Sequence, residues 1–183
     1  MNITRITSRN TLAVCVLLVA AAGGLSGCVA AAVNTTTIAV KSAPRDELQP
    51  QAEAGDPVAQ YELGKSYCCM GPGFDTQTAT KWLCKAARQK NREAMLELGR
   101  IYLGDVSRTA APGQKLLRLA TAKEAMPLAY VWLTRASANG HPKAEEWLQK
   151  LASRMTDEDM RLATQFDQKW PDIPCEYDQV FGN

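Results

Sequence analysis

The sequence predicts an all-α fold: a short right-handed solenoid of helix–turn–helix repeats with a C-terminal capping helix. Three recurrences predict it. Ala59, Leu63, Gly64 and Tyr67 return in register as Ala94, Leu98, Gly99 and Tyr102. Trp82-Leu83-Cys84-Lys85-Ala86-Ala87 returns as Trp132-Leu133-Thr134-Arg135-Ala136-Ser137. The entry Gly55-Asp56-Pro57-Val58-Ala59 is echoed by Gly140-His141-Pro142-Lys143-Ala144. Recurrence of a turn and of two helix faces separates stacked hairpins from an ordinary helical bundle.

The chain ahead of the repeats reads as an export segment. Residues 1–27 carry Arg5 and Arg9 and no acid, and Leu12–Ala22 is almost wholly apolar. That stretch is about 11 residues, against the roughly 20 that a helix needs to span a bilayer, so a cleaved signal is favoured over a transmembrane helix. Residues 28–50 then read as a flexible spacer, poor in aromatics and ending at Pro44 and Pro50. With the signal removed the acids and bases balance, because the whole chain is only +2. A neutral chain gives no basic surplus to argue for nucleic acid or anionic lipid.

The repeat domain spans 51–170, with units at about 51–90 and 91–140 and a partial one at 141–170. In the first unit Gly55 closes the preceding helix, Asp56 caps the next and Pro57 takes its first position. Residues 59, 63 and 67, then 79, 82, 83 and 86, keep helical spacing. Gly64 and Gly99 fall inside helices, where glycine costs about 1 kcal/mol against alanine. The expected compensation is close approach of a partner helix, with Ala86 and Ala87 on the other side. Gly71-Pro72-Gly73-Phe74-Asp75 reads as the turn and cap between the two helices.

In the second unit the extra length lies in Gly104–Pro127, with a breaker at Ala111-Pro112-Gly113 and a short helical stretch from Lys115 to Ala120. In the third, Gln149 and Ala152 take the places of Gly64 and Tyr67. Thr156-Asp157-Glu158-Asp159 opens a last helix through Trp170, its acidic first turn suited to the helix dipole. Pro171 ends it, and 171–183 is a tail.

Two stretches resemble known families. Leu25-Ser26-Gly27-Cys28 resembles the lipobox of bacterial lipoproteins at all four positions. The resemblance implies that Cys28 is acylated and becomes the mature N-terminus, and that Val29, not being Asp, sends the protein to the outer membrane. Ala59-x-x-x-Leu63-Gly64-x-x-Tyr67, the Gly-x-Gly loop, Asp75, Ala79-x-x-Trp82 and Lys85-Ala86-Ala87 resemble the Sel1-like repeat, a relative of the tetratricopeptide repeat. This second resemblance covers about 52–170, with a shorter first loop and a longer second one than the usual pattern.

The sequence shows no catalytic constellation and implies no cofactor. His141 is the lone histidine, and beside Pro142 it reads as a local cap. There is no paired C-x-x-C, no phosphate loop, no serine elbow and no His-Glu-x-x-His, so no metal site is expected. Asp157, Glu158 and Asp159 read as a solvated helix start.

Cys68, Cys69, Cys84 and Cys175 suit an oxidising compartment. The expected pairing joins one of Cys68 and Cys69 to Cys84 and the other to Cys175, since bridges between neighbours are rare. Buried free thiols are the alternative.

Stacked hairpins offer a concave face lined by the first helix of each pair. Tyr61, Lys65, Arg100, Lys143, Glu146 and Lys150 are the expected outward residues there. The function that follows is a membrane-anchored, periplasm-facing protein–protein interaction module, not an enzyme, with a protein or peptide partner in the cell envelope. The resemblance also implies two alternatives, an immunity lipoprotein neutralising a secreted toxin and a hydrolase of cell-wall or β-lactam compounds. No nucleophile–base pair supports the second.

Overall fold

The computed structural model describes residues 44–69, 75–105 and 124–182. The export segment, Cys28 and the spacer as far as residue 43 lie outside the described residues. So do Gly71–Phe74 and residues 106–123 of the insert. Among the described residues the regular structure is entirely helical. The elements are α1 (44–53), then α2 (Pro57–Tyr67), α3 (Thr76–Arg88), α4 (Arg92–Tyr102), α5 (Met126–Ala138), α6 (Ala144–Ala152), α7 (Asp157–Gln168) and α8 (Tyr177–Phe181). None of these helices is long and apolar enough to cross a membrane.

The caps follow the sequence closely. The Asp56 carboxylate accepts from the Val58 and Ala59 amides, with Pro57 in the first turn. Asp75 caps α3 through the Thr78 amide, and Asn91 caps α4 through the Ala94 amide. Thr156 and Asp159 form a reciprocal capping box at the start of α7. Gly55 (φ 99°) and Gly140 (φ 76°) occupy the left-handed region that the entry turns require. Side chains tie these turns together. Asn91 Nδ2 donates to the Pro57 carbonyl and Arg92 to the Gly140 carbonyl, both at 3.0 Å.

The helices pack as hairpins, α2 on α3 and α4 on α5, with α3 against α4 between them. Gly64 and Gly99 show why. A Cβ on Gly64 would meet Leu83 Cγ at 2.8 Å and the Ala79 carbonyl at 3.0 Å. A Cβ on Gly99 would meet Leu133 Cγ at 2.6 Å and the Ala129 carbonyl at 3.4 Å. Ala79 and Leu83 hold in the first hairpin the positions of Ala129 and Leu133 in the second. The close approach expected of the glycines is therefore present, but Ala86 and Ala87 are not its other side. They are fully buried in the larger core around α4 and α5.

Three features differ from the sequence expectation. First, the spacer does not run to residue 50, because 44–53 is helical. Leu48 and Ala52 pack on Ala59, Leu63, Tyr67 and Trp82, and Arg45 lies 3.9 Å over the Tyr67 ring. This burial outweighs the helix-breaking tendency of Pro50. Second, α7 does not stack on the end of the third unit. It packs on α5, and its contact with α6 is at most marginal. The reason lies at residue 149. Where α2 and α4 have a glycine that admits the partner helix, α6 has Gln149, whose side chain holds a helix off. Third, the helix from Asp157 ends at Gln168 and the chain then turns back. Trp170 stands edge-on to the buried Trp132, with ring centroids 5.2 Å apart.

The tail continues across α3. Cys84 and Cys175 are bridged, with Cα atoms 5.8 Å apart, and Cys68 is bridged to its neighbour Cys69. The expected pairing of Cys84 with Cys68 or Cys69 is corrected. Cys84 points from α3 toward the tail, while Cys68 and Cys69 sit at the end of α2. The Tyr102 hydroxyl donates to the Cys175 carbonyl, and the Tyr177 amide donates to Thr80 Oγ1 at 3.0 Å.

Burial holds the Tyr102 phenol far above its ordinary value of 10.0, with the Glu176 and Tyr177 charges adding to the rise. A raised folded-state value stabilises the native state fully below the unfolded value and is lost as pH climbs past it. Stability followed by circular dichroism should therefore fall steeply above a pH of about 10, and Tyr102→Phe should flatten that fall.

Candidate functional site

The first helices of the two hairpins, α2 and α4, and the helix α6 that follows them present one strip of side chains. On α2, Lys65 Nζ lies 5.0 Å from the Tyr61 ring and pairs with Glu62 at 2.7 Å. Burial pushes the Tyr61 phenol up. Lys65 opposes this, while Glu97, Glu62 and Glu93 reinforce it. Tyr61 thus feels the two acids of α4 across the gap between helices. For Lys65, partial burial lowers the ammonium value, but the Glu62 hydrogen bond and Tyr61 outweigh it and hold it raised.

On α4, Arg100 is only 7% exposed. Its Nε and Nη2 both donate to Asp105 Oδ2, at 3.0 and 2.6 Å, and Nη1 lies 3.6 Å from Glu97. The guanidinium sits 5.0 Å over the Trp147 ring of α6. On the same ring Lys150 Nζ lies at 5.2 Å, and Lys150 pairs with Glu146 at 2.6 Å. That hydrogen bond holds the Glu146 carboxyl below its usual range. Trp147 is therefore the joint between α4 and α6, while Tyr61 of α2 stands within electrostatic reach of Glu93 and Glu97 on α4.

Of the residues singled out from sequence, Tyr61, Lys65, Glu146 and Lys150 lie in this strip at its half-buried or exposed edge. Lys143 is exposed at the start of α6, within electrostatic reach of Glu146. Arg100 is corrected. It lies in the strip but is buried and engaged by Asp105, so it holds the floor together and is not an outward contact. Three members were missed: Glu97, Asp105 and Trp147. Trp147 follows Glu146 directly and is an aromatic in the partial third unit. That was a readable signal, but helical spacing alone does not say on which side of α6 the neighbouring helix lies.

His141 is 6% exposed. Its Nδ1 accepts from the Lys143 amide at 3.1 Å, which places the ring proton on Nε2, 2.9 Å from Glu93. It caps the entry to α6 and ties that turn to α4. Among the described residues no three His, Cys, Asp or Glu side chains converge as metal ligands.

The fold and this strip define a class: an all-helical protein of packed hairpins with a disulfide-fastened tail. No protein-family profile matches the chain. Over 61 residues it is 43% identical to Wolframin from Homo sapiens, a stretch covering 31% of this chain and 7% of that protein. The chain thus spans a small fraction of this much longer relative. No solved structure matches.

Proposed function

We propose that the chain is a membrane-anchored protein–protein interaction module of the bacterial envelope, a short Sel1-like solenoid with no catalytic activity, tethered to the outer membrane through lipidated Cys28. One observation supports this most. Tyr61 and Trp147, each half-buried and each flanked by a lysine, lie on the side-chain strip of α2, α4 and α6. Rigid aromatic anchors ringed by polar groups are the features that concentrate binding energy in protein interfaces. The tail leaves that face free, because its bridge and hydrogen bonds fall on Cys84, Thr80 and Tyr102. The surface ion pairs of the strip contribute little stability in water, so they are available for exchange with a partner.

The test is capture from native envelopes with the lipidated full-length protein as bait, beside a bait carrying Lys65→Glu and Lys150→Glu. A specific partner held by the first bait and lost by the second is the expected result. A partner retained equally by both places binding elsewhere and rejects this face.

A further inference from the structure

We infer that the groove between α5 and α6 is a second docking site, for an extended peptide segment of a partner protein that carries a basic side chain at one end. The groove is open, about 460 Å³, and is lined by Tyr130 and Thr134 of α5 and by Glu145, Leu148, Gln149 and Ala152 of α6. It lies on the side of α6 opposite Trp147 and Lys150, as their helical positions require. Its failure as a site would leave the proposed binding strip untouched.

The matching place one hairpin earlier is occupied by this chain's own tail. By the in-register recurrences, Tyr130 and Thr134 on α5 correspond to Thr80 and Cys84 on α3, and Ala152 on α6 corresponds to Tyr102 on α4. Those earlier positions all hold the tail. Cys84 is bridged to Cys175, Thr80 accepts from the Tyr177 amide, and Tyr102 donates to the Cys175 carbonyl. The held segment is extended as far as Glu176 (φ −82°, ψ 149°), the cap of α8, and α8 then packs on α3. This chain therefore carries, in its own tail, an example of the kind of segment such a groove accepts.

Three further observations fix the occupant. Gln149 stands where glycine admits a helix at the other two hairpins, so a closely packed helix is excluded and an extended chain is not. Ala152 leaves open the space that the Tyr102 ring fills, so a side chain of the incoming segment can enter. Glu145 is the charged residue among those lining the groove, and a carboxylate there favours a lysine or arginine at that end.

The probe is a fluorescent synthetic copy of residues 170–181 carrying Cys175→Ser and Asp172→Lys, titrated against the oxidised full-length protein by polarisation. In the tail, Asp172 lies beside Arg88, the counterpart of Ala138 at the Glu145 end of the groove. Saturable binding with a Kd of about 10–100 μM is expected. Ala152→Tyr should tighten it by about threefold or more, by restoring the hydroxyl that Tyr102 donates to the Cys175 carbonyl one hairpin earlier. Glu145→Lys should reverse the preference, so that the peptide retaining Asp172 binds better. Both positions are exposed, and thermal melts confirm that each variant stays folded. No saturable binding to the unsubstituted protein overturns the inference. Binding that neither variant changes overturns it too, since the peptide is then held elsewhere.

Discussion

Cys175→Ser lowers the stability of the oxidised protein by about 4 kcal/mol, which for a domain of this size is a fall in Tm of about 15 °C. The bridge to Cys84 closes a loop with a sequence separation of 91, and long loops lose the most unfolded-state entropy when cross-linked. The bridge also keeps the tail docked. Ile173 and Cys175 are 2% and 0% exposed, and Phe181 stacks near Tyr177 and Tyr102 with centroids 4.7 and 6.0 Å away. Cys84→Ser should cost the same, and the double variant no more than either single, because one bond is removed in each case. The measurement is urea unfolding of the three variants beside the parent. Since Cys84 is 1% exposed, a thiol reductant should leave the bond intact until denaturant is added. Equal stability of parent and variants would mean that the tail is not fastened to α3.

Gly99→Val lowers stability by about 3 kcal/mol, at the upper end of what overpacking costs. The first added carbon would stand 2.6 Å from Leu133 Cγ and 2.8 Å from Leu133 Cδ2. Leu133 is fully buried and has no open space to move into. The helix-propensity gain from removing glycine returns only about 0.5 kcal/mol. Gln149→Val, at the matching position of α6, should change stability by less than about 0.5 kcal/mol, because no helix is packed against that exposed side chain. Chemical unfolding of the pair checks the contrast. Similar losses at both positions would mean that a helix packs closely against Gln149 after all.

The sequence made the local features legible and the distant ones not. Asp56, Asp75, Asn91 and Thr156 cap where short-range chemistry places them. The recurrence of Leu-Gly and Trp-Leu marked the residues that meet across each hairpin. Small residues on both faces of α3 make Ala86 and Ala87 look as fit to meet Gly64 as Ala79, and spacing alone does not say which face α2 meets. The stretch 44–53 reads as spacer because Pro44 and Pro50 punctuate it and small residues precede it, although Arg45-Asp46-Glu47-Leu48-Gln49 is itself a helix-favouring run. Its support comes from Tyr67, Leu63 and Trp82, further along the chain. The bridge to Cys175 depends on the tail reversing over α3, a path set by Gln149 deflecting α7 and by Trp170 docking on Trp132. Arg100 has the spacing of an outward residue, yet Asp105 and Trp147 draw it into the floor of the strip.

On the proposed function, the face of Tyr61 and Trp147 is where this protein holds its partner. A photo-crosslinking side chain placed at Tyr61 tests it in living cells, with Gln165 on the exposed face of α7 as control. A discrete crosslinked envelope protein from position 61 and none from position 165 is the expected result. Crosslinks of equal yield from both positions, or from 165 alone, would contradict the account.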